Sequence, residues 1–346
     1  MSRQNRNTPT TTVGGLLQLR LAGCSEEPDA ESIREVERLE AGVREGHVRA
    51  ALVLGVMHET GSFVTKDAKR AEEFYRFAAE RGDPNGLTML GIQLFDNEQY
   101  SEAKEYFEEA SRMGEVEANV FLGTLYETGA GVEQNFDTAF QLYETAWING
   151  STRALRHLAR CLQHGLGCES DLKESNALYR QACDSGDLTA CLTLAHQYWR
   201  EEDFDNAVEY YSQAADLGDV ESQRIAGEYL ALQDKNHRNP AKGVEYLQQA
   251  HNSGNRRAGY LLAVLYTQGR RVKKDLHKAF ELCQHAANQS ELDAQHMLGL
   301  LYIRGEGVVK NKEAGITWLR RASDAGHERA SKILARMDSK TSESQT

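Results

Sequence analysis

The chain has 346 residues, 52 acidic against 40 basic side chains, a formal net charge of −12 and only four prolines. That balance disfavours a general nucleic-acid binder, whose affinity rests on cations facing phosphates. Mean hydropathy is −0.60, and no uninterrupted apolar run approaches the ~20 residues that a membrane-spanning helix needs. Six cysteines in a chain of this length do not make a disulfide scaffold. The expectation is a soluble, mostly helical, cytoplasmic protein with reduced thiols.

Residues 1–29 are polar and carry no apolar periodicity, so they read as a disordered tail. Arginines without acids before Glu26 raise organelle import, and LAGC at 21–24 has the letters of a lipoprotein cleavage site. Gln18 and Arg20 interrupt the apolar stretch ahead of it, which argues against membrane insertion. Order is expected from about residue 30, where Ile33, Val36, Leu39 and Val43 fall at helical spacing. This is the second helix of an incomplete leading repeat.

Eight full repeats follow, opening at Gly46, Gly82, Gly114, Gly150, Gly186, Gly218, Gly254 and Ser290. An alanine recurs at Ala78, Ala110, Ala146, Ala182, Ala214, Ala250, Ala286 and Ala322, in steps of 32, 36, 36, 32, 36, 36 and 36. A fixed period of this size implies an α-solenoid of helix pairs, each burying its apolar face against its neighbours. Position 5 of a repeat is small, position 9 usually Leu, and position 10 Gly or Ala. A mid-helix Gly costs ~1 kcal/mol against Ala, so its recurrence implies close approach of the partner helix. Aromatics at position 13 (Tyr126, Tyr198, Tyr266, Tyr302) are expected to plug the seams between repeats. Paired glycines such as Gly129 and Gly131 close the first helix and reverse the chain. The repeats opening at Gly82 and Gly186 lack four turn residues and should carry tight helix–helix turns. A cap helix is expected over 326–337, then a disordered tail over 338–346.

The pattern G-D-x-x-A-x-x-x-L-G-x-L-Y-x-x-G-x-G-V, followed by A-x-x-x-Y-x-x-A, resembles the Sel1-like repeat family across about 46–337. The resemblance implies an all-α, right-handed solenoid of antiparallel helix pairs, related to tetratricopeptide arrays, with first helices lining a concave face. It also implies a non-enzymatic adaptor or scaffold for protein partners, without a cofactor. Departures are local: Ala226 replaces Leu, Ser290 the opening Gly, and ALQDKNHRNPAKG the glycine turn after Tyr229. Cys183 and Cys191 are similar to the paired cysteines of secreted cysteine-rich relatives, which makes them the candidate disulfide. The alternative function is accordingly a secreted β-lactam-binding protein or hydrolase of that type.

Chemistry-bearing patterns are few. His157, Cys161, His164 and Cys168 spread along ~16 Å of helix, too far to share one ion, so no metal site is expected. Ser170 and Lys173 have the Ser-x-x-Lys spacing of penicillin-binding enzymes, but Ser170 or Asp171 reads as a helix N-cap and no partner motif appears. The acidic run Glu98, Glu102, Glu105, Glu108 and Glu109 reads as a solvated helix face, or as a surface buried in a larger assembly.

In the tetratricopeptide frame, positions 4, 7, 11 and 14 form the inward stripe. One repeat places Arg153, Arg156 and Arg160 there; the next places His196 and Trp199. Arginine beside tryptophan is the composition of binding hot spots. The expectation is a groove for an acidic or C-terminal peptide, with Arg257 and Tyr260 as a second patch. The competing reading is an arginine face neutralised by Glu117, Glu127 or Glu228.

Overall fold

The structure, a computed structural model, describes residues 30–232 and 239–343. The segment 1–29, with its LAGC letters, and residues 233–238 of the replaced turn lie outside the described residues. Among the described residues are eighteen helices and no strand. They fall into two units, divided after Asp187.

The first unit holds α1 (Ala30–Arg44), α2 (Val48–Thr60), α3 (Ala68–Ala79), α4 (Pro84–Asp96), α5 (Tyr100–Arg112), α6 (Val116–Thr128), α7 (Phe136–Ile148), α8 (Arg153–His164) and α9 (Leu172–Asp184). The second holds α10 (Leu188–Arg200), α11 (Phe204–Asp216), α12 (Val220–Leu232), α13 (Pro240–Asn252), α14 (Arg256–Gln268), α15 (Leu276–Asn288), α16 (Leu292–Arg304), α17 (Lys312–Asp324) and α18 (Glu328–Glu343). Even-numbered helices are the first helices of repeats and odd-numbered ones the second. The cap helix α18 continues to Glu343, through residues expected in the tail. Ser, Lys, Thr and Glu there carry no helix-breaking Gly or Pro to end it sooner.

Local chemistry explains the boundaries. Asp67, Asn135, Asp171, Asp275 and Asn311 accept backbone N–H bonds at the starts of second helices. Gly61, Gly129, Gly165, Gly269 and Gly305 end first helices in the left-handed conformation. The second glycine of a pair has a further duty. A Cβ on Gly167 would lie 2.1 Å from the Phe136 carbonyl oxygen, so this turn clasps the preceding repeat's second helix. In the two shortened repeats the reversal falls on Glu98 (φ 62°) and Glu202 (φ 59°), as the missing residues require.

Within each unit a helix packs on its chain neighbours, and consecutive first helices also touch: α4 with α6 and α6 with α8, then α12 with α14. The position-10 glycines permit this hairpin packing. A Cβ on Gly55, Gly91 or Gly123 would stand 2.3, 2.6 or 2.5 Å from the ring of Tyr75, Phe107 or Tyr143. Each ring is completely buried. Burying it contributes roughly 2–3 kcal/mol, which outweighs the ~1 kcal/mol helix penalty of the glycine beneath it. Of the expected seam aromatics, Tyr302 of α16 meets Phe280 of α15 edge-on across a repeat boundary, with centroids 5.2 Å apart, whereas Tyr198 stacks on Tyr210 of its own repeat at 5.6 Å.

Candidate functional site

The arginine stripe of the first unit lies on α8, and its anions come from the same chain. Arg153 pairs with Glu117 of α6 at 3.4 Å, and Arg156 with Asp187 at 3.0 Å. Arg160 pairs with Glu127, whose carboxylate also accepts the Tyr143 hydroxyl at 2.7 Å. Glu127 is only 7% exposed while the Arg160 side chain is partly exposed, so the pair runs from the core to the surface. Glu117 and Glu127 are the neutralising residues expected from the sequence, and Asp187 joins them. Glu228, the third expected, instead pairs with Arg224 on its own helix at 2.7 Å. The spacing of four along α12 brings these two side chains together. An incoming carboxylate at α8 would have to displace carboxylates already in place.

His157 sits in the middle of this network, stacked on Tyr143 at 4.6 Å. Burial, with three arginines around it, holds its pKa well below the usual histidine value. Of the other three members of its sequence pattern, Cys161 and Cys168 are free thiols and His164 is the last residue of α8. Burial pushes the Cys161 thiol up to about 12, which makes it a poor nucleophile and a poor metal ligand. No group of three or more His, Cys, Asp or Glu side chains among the described residues could hold a metal ion. Asp171 caps α9, and Ser170 donates to the Gln163 carbonyl at 3.4 Å. The Ser-x-x-Lys spacing is therefore used to start a helix.

In the second unit the tryptophan lies beside an open hollow. Trp199 is 40% exposed and borders a volume of about 520 Å³ lined by Tyr211, Arg224, Ile225, Glu228, Tyr229 and Leu232. Its ring meets Phe204 and Tyr211 edge-on, with centroids 5.0 and 5.9 Å away, so the indole is fixed in orientation. His196 is exposed next to it and meets Tyr211 edge-on. Arg224, held between Glu221 and Glu228 at 2.7 Å each, forms the polar side. Among these lining residues the sequence reading named Trp199 as an anchor and Glu228 only as a neutralising carboxylate, and it assigned no site role to Tyr211, Arg224, Ile225, Tyr229 or Leu232. Their recurrence at inward-stripe positions (Arg224 at position 7, Glu228 at position 11) was the available signal.

The second patch is also self-paired. Arg257 lies over the Tyr260 ring at 4.9 Å and pairs with Glu291 at 2.9 Å and with Asp293. Asp293 in turn meets the His327 ring nitrogen at 3.1 Å, and His327 stacks on His296 at 4.6 Å. These bonds hold the Asp293 carboxyl below its usual range against the opposing effect of burial. Cys183 and Cys191 are buried in α9 and α10, one in each unit. Their pairing remains a proposal, tested by whether an unreduced, unfolded sample shows four thiols instead of six.

The Sel1 repeat family model matches residues 48–83, 92–115, 116–147, 152–187, 197–219, 235–255, 257–291 and 292–327. An uncharacterized protein of Neisseria meningitidis, NMB1327, is 28% identical over 165 residues, covering 47% of this chain and 34% of that protein. The chitin synthase regulator SKT5 of Saccharomyces cerevisiae is 31% identical over 120 residues, covering 33% of this chain and 17% of the regulator. The chain therefore spans about a third or less of the length of these curated relatives. A solved Sel1 repeat protein from Oxalobacter formigenes is 23% identical, with a TM-score of 0.44 over 68% of this chain and 96% of the other. Sel1 repeats are in general non-catalytic scaffolds for protein interaction. With eight matches covering more than half its length, the chain belongs to the Sel1 repeat family.

Proposed function

We propose that the chain is a non-enzymatic scaffold that grips segments of partner proteins, with the hollow beside Trp199 as the apolar anchor site of the second unit. The observation that carries this reading is a large aromatic side chain held by its neighbours yet left 40% exposed beside an open volume. Tyr211, Ile225, Tyr229 and Leu232 offer apolar walls, and Arg224 with Glu228 can orient a peptide backbone or a polar side chain. A fixed aromatic anchor beside an arginine is the arrangement from which binding hot spots draw most of their energy. The acidic-peptide reading of α8 is weakened by its internal ion pairs, which leave Arg153, Arg156 and Arg160 no uncompensated charge.

The experiment is affinity capture followed by mass spectrometry on wild-type chain, Trp199→Ala and Arg156→Ala. Partners retained by wild type and Arg156→Ala but lost with Trp199→Ala would support the site. Equal capture by all three would remove the hollow from consideration.

A further inference from the structure

We propose that the turn between α14 and α15 docks a short acidic segment of a partner protein. The proposal rests on the scaffold reading but uses none of the residues placed at the Trp199 hollow or the arginine stripe. The turn reads RRVKKDLHK over 270–278, in a chain whose net charge is −12. It borders a shallow, open hollow of about 850 Å³ lined by Tyr266, Val272, Lys273, Lys274, Asp275, Leu276 and Lys278. The carboxylate in that lining, Asp275, is already committed to the backbone N–H of Lys278 as the cap of α15. The Lys278 ammonium lies over the Tyr266 ring, 4.6 Å from its centroid. Lys273 and Lys274 are exposed, with no ion pair among the described residues.

The neighbouring turn extends the cationic edge. Exposed Lys310 and Lys312 stand on it, and Val309 is 86% exposed beside them. The Gly307 carbonyl lies 3.3 Å from His277 Nδ1, which sets the two turns side by side. Turn geometry does not demand these charges: GAGVEQN at 129–135 and GLGCESD at 165–171 make the corresponding reversals without a lysine or arginine.

Charge complementarity selects an anion, and the surrounding protein selects a short one. Screening confines the pull of the patch to about 8–10 Å. A carboxylate-bearing segment fits inside that range and gains charge-assisted hydrogen bonds from the ammonium groups. A long polyanion, whether nucleic acid or anionic bilayer, also overlaps the negative remainder of the chain and is repelled. Val272, Leu276 and Val309 provide contact for an apolar residue within the acidic segment.

The test uses fluorescence anisotropy of a short labelled peptide of Glu and Asp carrying one Leu, titrated with full-length chain. The expected result is saturable binding that weakens as salt is raised. The doubly charge-reversed variant Lys273→Glu, Lys274→Glu should lose about tenfold or more in affinity while melting at an unchanged temperature. Trp199→Ala should bind the peptide like wild type, which separates this site from the scaffold hollow. Undiminished binding by the lysine variant would overturn the proposal. So would tighter binding of a DNA duplex or a phosphatidylserine vesicle than of the peptide.

Discussion

The two units are built from the same hairpin and use its inward positions differently. In the first, the polar side chains of α8 face carboxylates one repeat away, and Tyr143, Glu127 and Arg160 join core to surface in one network. In the second, the stripe around Trp199 leaves an open hollow, and one turn edge carries Lys273 and Lys274 with no ion pair among the described residues. The cross-repeat pair is not peculiar to either: Glu117–Arg153 recurs as Arg257–Asp293. Identical spacing thus yields a cohesive contact or a binding surface, depending on the charge that stands one period further along. On α8 every arginine meets a carboxylate of the same chain, whereas beside Trp199 an aromatic face stays open.

The sharpest way to break this contrast is to remove the ring that closes the first unit's network. Tyr143→Ala should cost about 3–5 kcal/mol by urea denaturation, because it empties a core site and strips Glu127 of a donor. The counterpart Trp199→Ala should cost only about 1–2 kcal/mol, since that ring is partly in water. Equal costs would erase the distinction.

Next in size is Glu115, which caps α6 by accepting the Ala118 N–H at 2.8 Å. Burial pushes its carboxyl up to about 7 from 4.5. A raised acid binds its proton more tightly in the folded state, so folding is penalised as pH climbs from 4.5 to 7 and the penalty is full above 7. Glu115→Gln should therefore stabilise by up to about 3 kcal/mol at pH 8, with the gain vanishing below about pH 4.5. A pH series of thermal melts measures it, and a pH-independent difference would refute the assignment.

Arg160→Ala should destabilise by about 2 kcal/mol, because it leaves Glu127 buried with the tyrosine hydroxyl alone. Lys273→Ala, which removes an exposed charge with no ion pair among the described residues, should lie within about 0.5 kcal/mol of wild type. Comparable losses from both would show that the first unit's ion pairs do no more than surface charges do.

Much of the fold was legible in the chain. The recurring alanines located the hairpins, the paired glycines located their turns, and the two missing four-residue segments became the reversals at Glu98 and Glu202. The position-10 glycines announced a close approach, although the ring that approaches could not be read from the glycine alone. The candidate site was less legible. For Arg153, Arg156 and Arg160 the sequence left a free groove face and a neutralised one both open, because their partners lie 36, 31 and 33 residues away; Glu117 and Glu127 were foreseen, Asp187 was not. Trp199 was picked out by residue type, but its hollow depends on Tyr211 from α11 and Tyr229 from α12.

Periodicity set the helices, their lengths and their order, because burying one stripe per helix against the next repeat admits few other solutions. Charge compensation was decided elsewhere. Whether an arginine is satisfied depends on which carboxylate the packing of neighbouring repeats brings within ion-pair reach, and that reach is a few ångströms in space with no fixed separation in the chain.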